Sequence, residues 1–521
     1  MLSCKKNLEI SPYDFPLPEN YYSNKQQMNY ALTGVYSILK DNALYANHML
    51  GRMGLDADQA YNRNSNDANS IGDYSVSTAD IKVQSFWRVL YSGINRANFI
   101  LKNIDKPTDL TEKERGAIEG ETLFLRGYFY FLLVSNFGDV PIVLEPINTS
   151  SATAHQIARA PKLEVYKQIV ADMEKAQDLV LPIEEIGYGG RVSQSAVWGI
   201  LARVNLHWAG FPVKENTAED KKRYAEARMY AKKVMDHSVH KLNPSFQNVF
   251  EKLARDEYDI GESIFEVEFY GNGSGIYAAL GGFVGVNNGI YNQQDLNKGY
   301  GYSYINTTRY TYDVYEAADK RRDWTIAPFY YAFTNNVARE VNRGVNDIMQ
   351  RNCGKFRRTS ETLRPKHKSY TPQNFPILRF SDVLLMFAEA DNMLSGSGAT
   401  TEAYKALNQV RRRGYGVDIN TDNAAVDIAE GETQENFLKI IQDERTRELA
   451  FESLRKGDLV RWGIFVSRMK DRLAEVNNHV YFFDLRFARA TFTNVSARDV
   501  VWPIPSYELG VNYELEQNVG W

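Results

Sequence analysis

Apolar positions recur three and four residues apart along most of the chain, the spacing of one face of an α-helix. Residues 24–50 carry Tyr30, Val35, Ile38 and Leu39 in that pattern, and residues 86–104 carry Trp87, Leu90, Tyr91, Ile94 and Leu101. Thr111 followed by Glu114 has the form of a capping box, which predicts a helix start there. That helix runs through Leu123, Leu125 and Tyr128 into 131–134, where apolar side chains lie on all sides. Its second half is therefore expected to be buried rather than amphipathic, with a stop before the turn Asn136-Phe137-Gly138-Asp139. Further helices are predicted over 163–179, 193–209, 221–235, 377–393, 401–413, 434–452 and 456–465. Repeated helix–turn–helix units of this size predict tetratricopeptide-like stacking, an expectation that rests on size and alternation, since the consensus of that repeat is not legible.

Between the helical blocks the texture changes. Residues 263–269 alternate like a strand. From 270 to 304 the chain holds nine glycines and six tyrosines, and a second irregular stretch, 56–80, is rich in Asn, Asp and Ser. Loops of this length within a folded chain are commonly functional. The predicted class is mainly α: a helix-pair scaffold with a long loop-rich insert and minor β-strands.

Composition narrows the partners. With 61 basic against 65 acidic residues and a net charge of −4, the chain has no overall positive field for phosphates, so no nucleic-acid partner is expected. An apolar fraction of 44% excludes disorder throughout. Two cysteines, Cys4 and Cys353, exclude a disulfide framework and a Cys-based structural zinc site. No apolar stretch reaches the about 18–20 residues of a membrane-spanning helix. The opening Met-Leu-Ser-Cys-Lys-Lys places a small residue before a cysteine, as at a lipoprotein cleavage junction, but without the apolar region that precedes one. Cys4 is thus either an ordinary thiol or the remnant of such a junction.

Catalytic motifs are missing: there is no His-Glu-x-x-His, no phosphate-cradling Gly-x-x-x-x-Gly-Lys and no Gly-x-Ser-x-Gly. His237 and His240 read as an exposed pair rather than metal ligands, and Asn62, Asn64 and Asn66 lack the glycine and glutamate of a calcium loop. No metal and no cofactor are expected. Glu444, Glu448 and Glu452 are four apart on one helical face and interleaved with arginines, which fits an ion-pair network better than two carboxyls facing each other across a glycosidic bond. Binding is better supported. Tyrosine rings offer a flat apolar face to the C–H face of a sugar, and neighbouring Asn, Asp, Gln and Arg can hydrogen-bond paired hydroxyls.

Five segments, in order, resemble one family. Arg126-Gly-Tyr-Phe-Tyr-Phe-Leu-Leu-Val-Ser-Asn-Phe-Gly-Asp-Val-Pro is similar to the long helix and turn of SusD/RagB-like proteins, and Arg191-Val-Ser-Gln-Ser-Ala-Val-Trp-Gly to their next repeat helix. Phe375-Pro-Ile-Leu-Arg-Phe-Ser-Asp-Val-Leu-Leu-Met-Phe-Ala-Glu-Ala is a third match. Residues 443–462 resemble the family's Glu/Arg/Asp signature, with Ser453 where glycine is usual. The fifth is the closing Pro503-Ile-Pro-Ser-Tyr-Glu-Leu with Gln517-Asn-Val-Gly-Trp, where Val519 and Trp521 replace a usual proline and tyrosine.

The resemblance implies a SusD-like outer-membrane lipoprotein, surface-exposed and not an enzyme. It would bind an oligosaccharide and deliver it to a SusC-like TonB-dependent transporter; family members that capture peptides, and a scaffold that binds only proteins, are the alternatives. It further implies a tether over residues 1–20 lipidated at Cys4, and one fold over 21–521 with its ligand region at about 250–375. The implied ligand groups fall in 56–74 and 270–304. Tyr277 and Tyr302 are the first stacking candidates, because glycines around them would leave their faces open; Tyr61, Arg63, Asp67, Tyr74, Tyr291 and Tyr304 follow.

Overall fold

The computed structural model describes residues 21–49, 56–63, 71–147, 155–271, 281–335, 337–396, 398–478 and 485–521. Cys4, Asp67 and Tyr277 lie outside them. Helices dominate and pack in pairs: Ile81–Asn103 on Glu112–Phe137, Lys162–Gln177 on Gln194–Trp208, and Thr401–Tyr415 on Gln434–Leu449. Neighbouring pairs also touch, Glu112–Phe137 packing on Lys162–Gln177 and Gln194–Trp208 on Thr217–Met235. Thr217–Met235 in turn packs on Phe380–Leu394, so residues 236–379 are an insert between two adjacent helices of one stack. Among the described residues no helix is long and apolar enough to cross a membrane.

Local chemistry explains the helix bounds. Thr111 accepts from the Glu114 N–H while the Glu114 carboxylate accepts from the Thr111 N–H, so the capping box forms at the expected place. Every residue from Leu123 to Val134 is buried, and the helix stops at Gly138, whose φ is +72°. At Gly93 the Ile81–Asn103 helix comes so close to the ring of Phe129 that a Cβ there would overlap it.

Several elements differ from the sequence pattern; the helix expected over 377–393, for one, starts at Phe380, residues 377–379 belonging to strand Phe375–Arg379. The first helix ends at Tyr36, with Met28, Leu32 and Val35 as its buried stripe and Tyr30 61% exposed. Ile38 and Leu39 are buried from the turns that follow, where the Asp41 carboxylate accepts from the Ala43 N–H and so competes with helix continuation. Strand Ser263–Val267 is buried at every position instead of alternating; it pairs antiparallel with Phe375–Arg379 and has helix Gln194–Trp208 packed on it. The helix from Gln434 ends at Leu449, because Phe451 and Ser453 adopt left-handed φ values of 66° and 62°. That conformation accounts for a glycine preference at position 453.

The glutamates of that last helix anchor a buried ionic cluster. The Glu448 carboxylate lies 2.6 Å from Arg413, 2.8 Å from Arg379 and 3.1 Å from Arg321. Arg379 also binds Glu262 at 2.9 Å and Glu452 at 2.8 Å, Arg321 binds Asp319 and Glu444 at 2.7 Å each, and Lys355 binds Glu452 at 2.7 Å. Burial pushes the Glu448 pKa up, but Arg413, Arg379 and Arg321 outweigh it and hold the carboxyl well below its ordinary range. A second set joins Arg445 to Asp382 and Asp458, Arg461 to Asp458 and Glu389, and Arg203 to Asp382. The ion-pair network expected for these glutamates is present, and with Glu444 and Glu448 fully buried the cluster offers no carboxylate to a substrate.

Glu266, on strand Ser263–Val267, is the contrasting case. Its carboxylate accepts from Ser263 Oγ at 2.7 Å and Asn374 Nδ2 at 3.1 Å, with no ion pair among the described residues. Burial pushes its pKa up to about 7 against those two hydrogen bonds, and Glu268 and Asp256 add to the rise.

Two stability predictions follow from these carboxylates. Glu448→Gln leaves buried guanidiniums short of a counter-charge and should cost about 3–5 kcal/mol in urea unfolding at pH 7; a loss under about 1 kcal/mol would contradict the cluster's structural role. For Glu266 the folded state binds the extra proton between pH about 4.5 and about 7, so its contribution to stability falls as pH rises through that window. Glu266→Gln should therefore gain up to about 3 kcal/mol relative to the parent between pH 5 and pH 8, read from paired urea titrations.

Candidate functional site

Strand pairing joins the two irregular stretches. Ala60–Asn62 runs antiparallel to Ile305–Thr307, with Tyr61 opposite Asn306, and Ile305–Thr307 continues onto Asn352–Cys353 and then Ile326–Ala327. The next ladder bond, from the Arg63 N–H to the Tyr304 carbonyl at 2.8 Å, sets Arg63 beside the tyrosines of the central loop.

Those tyrosines form a short ladder. The rings of Tyr302 and Tyr304 lie 5.5 Å apart and within 19° of parallel, and Tyr300 meets Tyr302 edge-on at 5.8 Å. Main-chain bonds hold the segment: the Tyr302 N–H donates to Val286 O at 2.7 Å and the Tyr304 N–H to Asn287 O at 2.8 Å. Asn292 Nδ2 closes the 292–299 loop by donating to the carbonyls of Asp295 at 2.7 Å and Gly299 at 2.8 Å. The glycines serve close packing here. A Cβ on Gly301 would overlap the Ile290 carbonyl, and Gly299, at φ +90°, lies against Arg358. The expectation that glycines leave ring faces open is corrected accordingly: Tyr302 is half-buried, one side met by Tyr304.

A second row runs alongside. The Arg63 guanidinium sits 5.5 Å from the Tyr291 ring centre, Tyr291 lies 6.3 Å from Tyr330, and Arg343 lies 4.8 Å from the Tyr330 ring. Tyr330 is carried by the hairpin Phe329–Thr334 with Val337–Asn342, which the Tyr331 N–H ties to Tyr291 O at 3.0 Å. Burial first, and Arg63 second, lower the Arg343 pKa to about 10, which still leaves it charged at neutral pH.

Of the expected site residues, Arg63, Tyr291, Tyr302 and Tyr304 come together on this face, all partly exposed. Tyr61 and Tyr74 do not. They are 3% and 2% exposed, in a core cluster with Met349, Phe465 and Phe492, and their hydroxyls donate to the carbonyls of Met349 and Asp56. Their rings are core, which removes them as stacking surfaces. Tyr300, Tyr330 and Arg343 are additions; the signal that could have found Tyr330 is the aromatic run Phe329-Tyr-Tyr-Ala-Phe. His240 corrects the reading of an exposed histidine pair: it is buried, with its Nδ1 3.0 Å from Ile260 O, and desolvation lowers its pKa to about 4. Among the described residues no three His, Cys, Asp or Glu are grouped to hold a metal.

Two cavities lie elsewhere. One, of about 840 Å³, is bordered by Trp87, Tyr91 and Tyr507, but Trp87 packs edge-on against Phe137 and Arg88 covers Tyr507 at 4.0 Å. The other, of about 410 Å³, is lined by Tyr36, Arg191 and Glu266, and its Arg191 already pairs with Glu121. Neither sets partly exposed rings beside cations that lack a carboxylate partner among the described residues, as the tyrosine face does.

Comparisons with known proteins cover nearly the whole chain. The model of the SusD family matches residues 246–521, and a model described as starch-binding associating with outer membrane matches residues 6–206. SusD-like protein P25 of Formosa agariphila is 26% identical over 98% of this chain and 94% of its own. SusD-like protein P2 of the same organism is 25% identical, covering 99% and 96%. The crystal structure of a SusD homolog from Bacteroides thetaiotaomicron superposes with a TM-score of 0.87 at 26% identity, covering 97% of this chain and 98% of its own. A laminarin-binding SusD-like protein has a TM-score of 0.72 at 23% identity, covering 96% and 100%.

The contrast between core and face tyrosines can be read directly. Tyr61→Ala should lower the unfolding free energy by about 3–5 kcal/mol, and Tyr302→Ala by about 1 kcal/mol or less. Equal losses in urea unfolding would show that the ladder is core as well.

Proposed function

The chain belongs to the SusD family, and we propose that it captures an oligosaccharide on the Tyr300–Tyr302–Tyr304 and Tyr291–Tyr330 face and passes it on uncleaved. The observation that carries this reading is the stacked, main-chain-anchored pair Tyr302 and Tyr304 beside Arg63. Rings fixed before a ligand arrives lose little freedom on binding, and each offers an apolar face next to polar groups that orient hydroxyls. Glycan names among the neighbours, laminarin-binding and surface glycan-binding proteins, support the same class.

The reading has no hydrolytic step. A retaining glycosidase needs two carboxyls about 5–5.5 Å apart across the bond, and the clustered glutamates of this chain are engaged by arginines in the interior. Delivery is proposed to a SusC-like TonB-dependent transporter in the outer membrane, with the protein held at the surface through a lipid on Cys4. The outer-membrane part is supported by the description of the family model matching residues 6–206.

The test is binding without turnover. In gels cast with a panel of plant, algal and host polysaccharides, the purified chain should be retarded by at least one, and overnight incubation should release no reducing ends. Tyr302→Ala and Tyr304→Ala should each weaken that retention by about 1–3 kcal/mol. New reducing ends, or retention unchanged in both variants, would refute the reading. Transporter delivery is checked separately, by co-purification of a barrel partner from detergent-solubilised outer membranes.

A further inference from the structure

We propose that the ligand of the tyrosine face is an anionic glycan, whose carboxylate or sulfate groups are taken by Arg63 and Arg343. This rests on the capture reading above and adds the charge class of the ligand.

The two guanidiniums bracket the second aromatic row, one over Tyr291 and the other over Tyr330, with those rings 6.3 Å apart. Neither makes an ion pair with a carboxylate among the described residues. For Arg343 this contrasts with other buried arginines: Arg321, Arg379, Arg413, Arg445, Arg455 and Arg461 each meet acidic partners within 3.6 Å. Arg343 is only 9% exposed, and its Nη1 has no hydrogen-bond partner. A nearly buried cation with an unused donor, repelled by a second cation, is costly in the empty protein. An arriving anion offsets the repulsion between the two cations, and carboxylate and sulfate oxygens match the guanidinium fork. Asp347 attracts Arg343 electrostatically but lies beyond ion-pair distance, its carboxylate accepting from Gln350 Nε2 at 3.4 Å.

The surrounding charge agrees. Residues 281–375 hold fourteen Lys and Arg against eight Asp and Glu, an excess of six positive charges in a chain whose net charge is −4. Lys298 lies 5.5 Å from the Tyr331 ring and Lys368 5.5 Å from Tyr300, each without an ion pair among the described residues. Positive charge thus flanks both aromatic rows, while the face itself is built of rings suited to sugars rather than of a basic helix or groove.

The experiment is affinity electrophoresis of the full chain in five sets of gels. They contain alginate or polygalacturonate for carboxylates, carrageenan or dextran sulfate for sulfate esters, carboxyl-reduced polygalacturonate, the neutral glycans laminarin, starch and galactan, and single-stranded DNA. Retention is expected in at least one acidic gel, weakened about tenfold or more in Arg63→Gln and also weakened by raising NaCl from about 50 to about 500 mM. The carboxylate and sulfate arms, with the reduced polymer, tell the two anion sources apart. Arg63 is partly exposed, so its variant carries the test should Arg343→Gln fold poorly, and thermal melts confirm that it is folded. Retention by neutral glycans alone, or retention indifferent to Arg63→Gln, overturns the anionic ligand and leaves capture standing. Equal retention by DNA overturns it as general polyanion binding. No retention in any gel overturns glycan capture itself, and the charge class with it.

Discussion

The carboxylate of Glu448 fixes how the rest of the protein fits together. It sits at the meeting point of Arg321 and Arg379 from the insert and its C-terminal edge, and Arg413 from the neighbouring scaffold helix. Each of those cations reaches a further carboxylate, so charges from remote parts of the chain must arrive together. In a dry interior a missing member leaves a charge without compensation, and that penalty makes the arrangement all-or-none. One consequence reaches the tyrosine face. Lys355, held by Glu452, follows strand Asn352–Cys353, which pairs with Ile305–Thr307, and that strand begins one residue after Tyr304. The ladder is thus connected to the ionic cluster through two paired strands, in addition to its own main-chain bonds to Val286 and Asn287.

The first loop is fixed in the same manner. Arg455 binds Asp58 at 2.8 Å and Lys456 binds Asp56 at 3.0 Å, so the segment leading to strand Ala60–Asn62 is pinned to the C-terminal helices before it meets the central loop. Burial raises the Asp56 pKa to about 7 despite Lys456, whereas Arg455, with Arg468 and Arg472, keeps Asp58 below its ordinary range against the same burial. Arg63 therefore reaches Tyr291 from a rigid base. In the proposed capture, ordered rings and cations on such a base would make recognition depend on shape and charge more than on refolding of loops.

Much of the scaffold was legible because helices announce themselves locally. Thr111 and Glu114, and the continuous apolar run from Leu123 to Val134, each have one physical solution, and the structure adopts it. The Glu444 and Glu448 spacing pointed to ion pairing for a similar reason, since carboxylates interleaved with arginines on a helix need partners wherever they are buried. The tyrosines were harder. Tyr61 and Tyr302 stand in similar polar, loop-like sequence, but Tyr61 is covered by Met349 and helices Phe465–Asn478 and Arg486–Asn494, whereas Tyr302 meets Tyr300 and Tyr304 and stays partly exposed. Which ring is core depends on segments hundreds of residues away, and no window around the residue contains that information. Tyr330 and Arg343 escaped notice because the hairpin that carries Tyr330 and leads into Arg343 lies past the glycine-rich stretch, and it is a main-chain bond to Tyr291 that brings it back. The glycines misled in another way: Gly301 admits the Ile290 carbonyl and Gly299 the Arg358 side chain, so these two serve close packing rather than open ring faces.

The insert leaves the stack after Thr217–Met235 and returns at Phe380–Leu394, two helices that lie against each other. Its entry and exit are thus neighbours, and lengthening it adds little chain-closure entropy, about 0.6 kcal/mol for each doubling. The helical superstructure can keep one geometry while the segment between those doorposts is rewritten. Most of the proposed face belongs to that one segment, and Arg63 alone among its named residues comes from the first loop, so a rewritten insert must still meet a fixed cation.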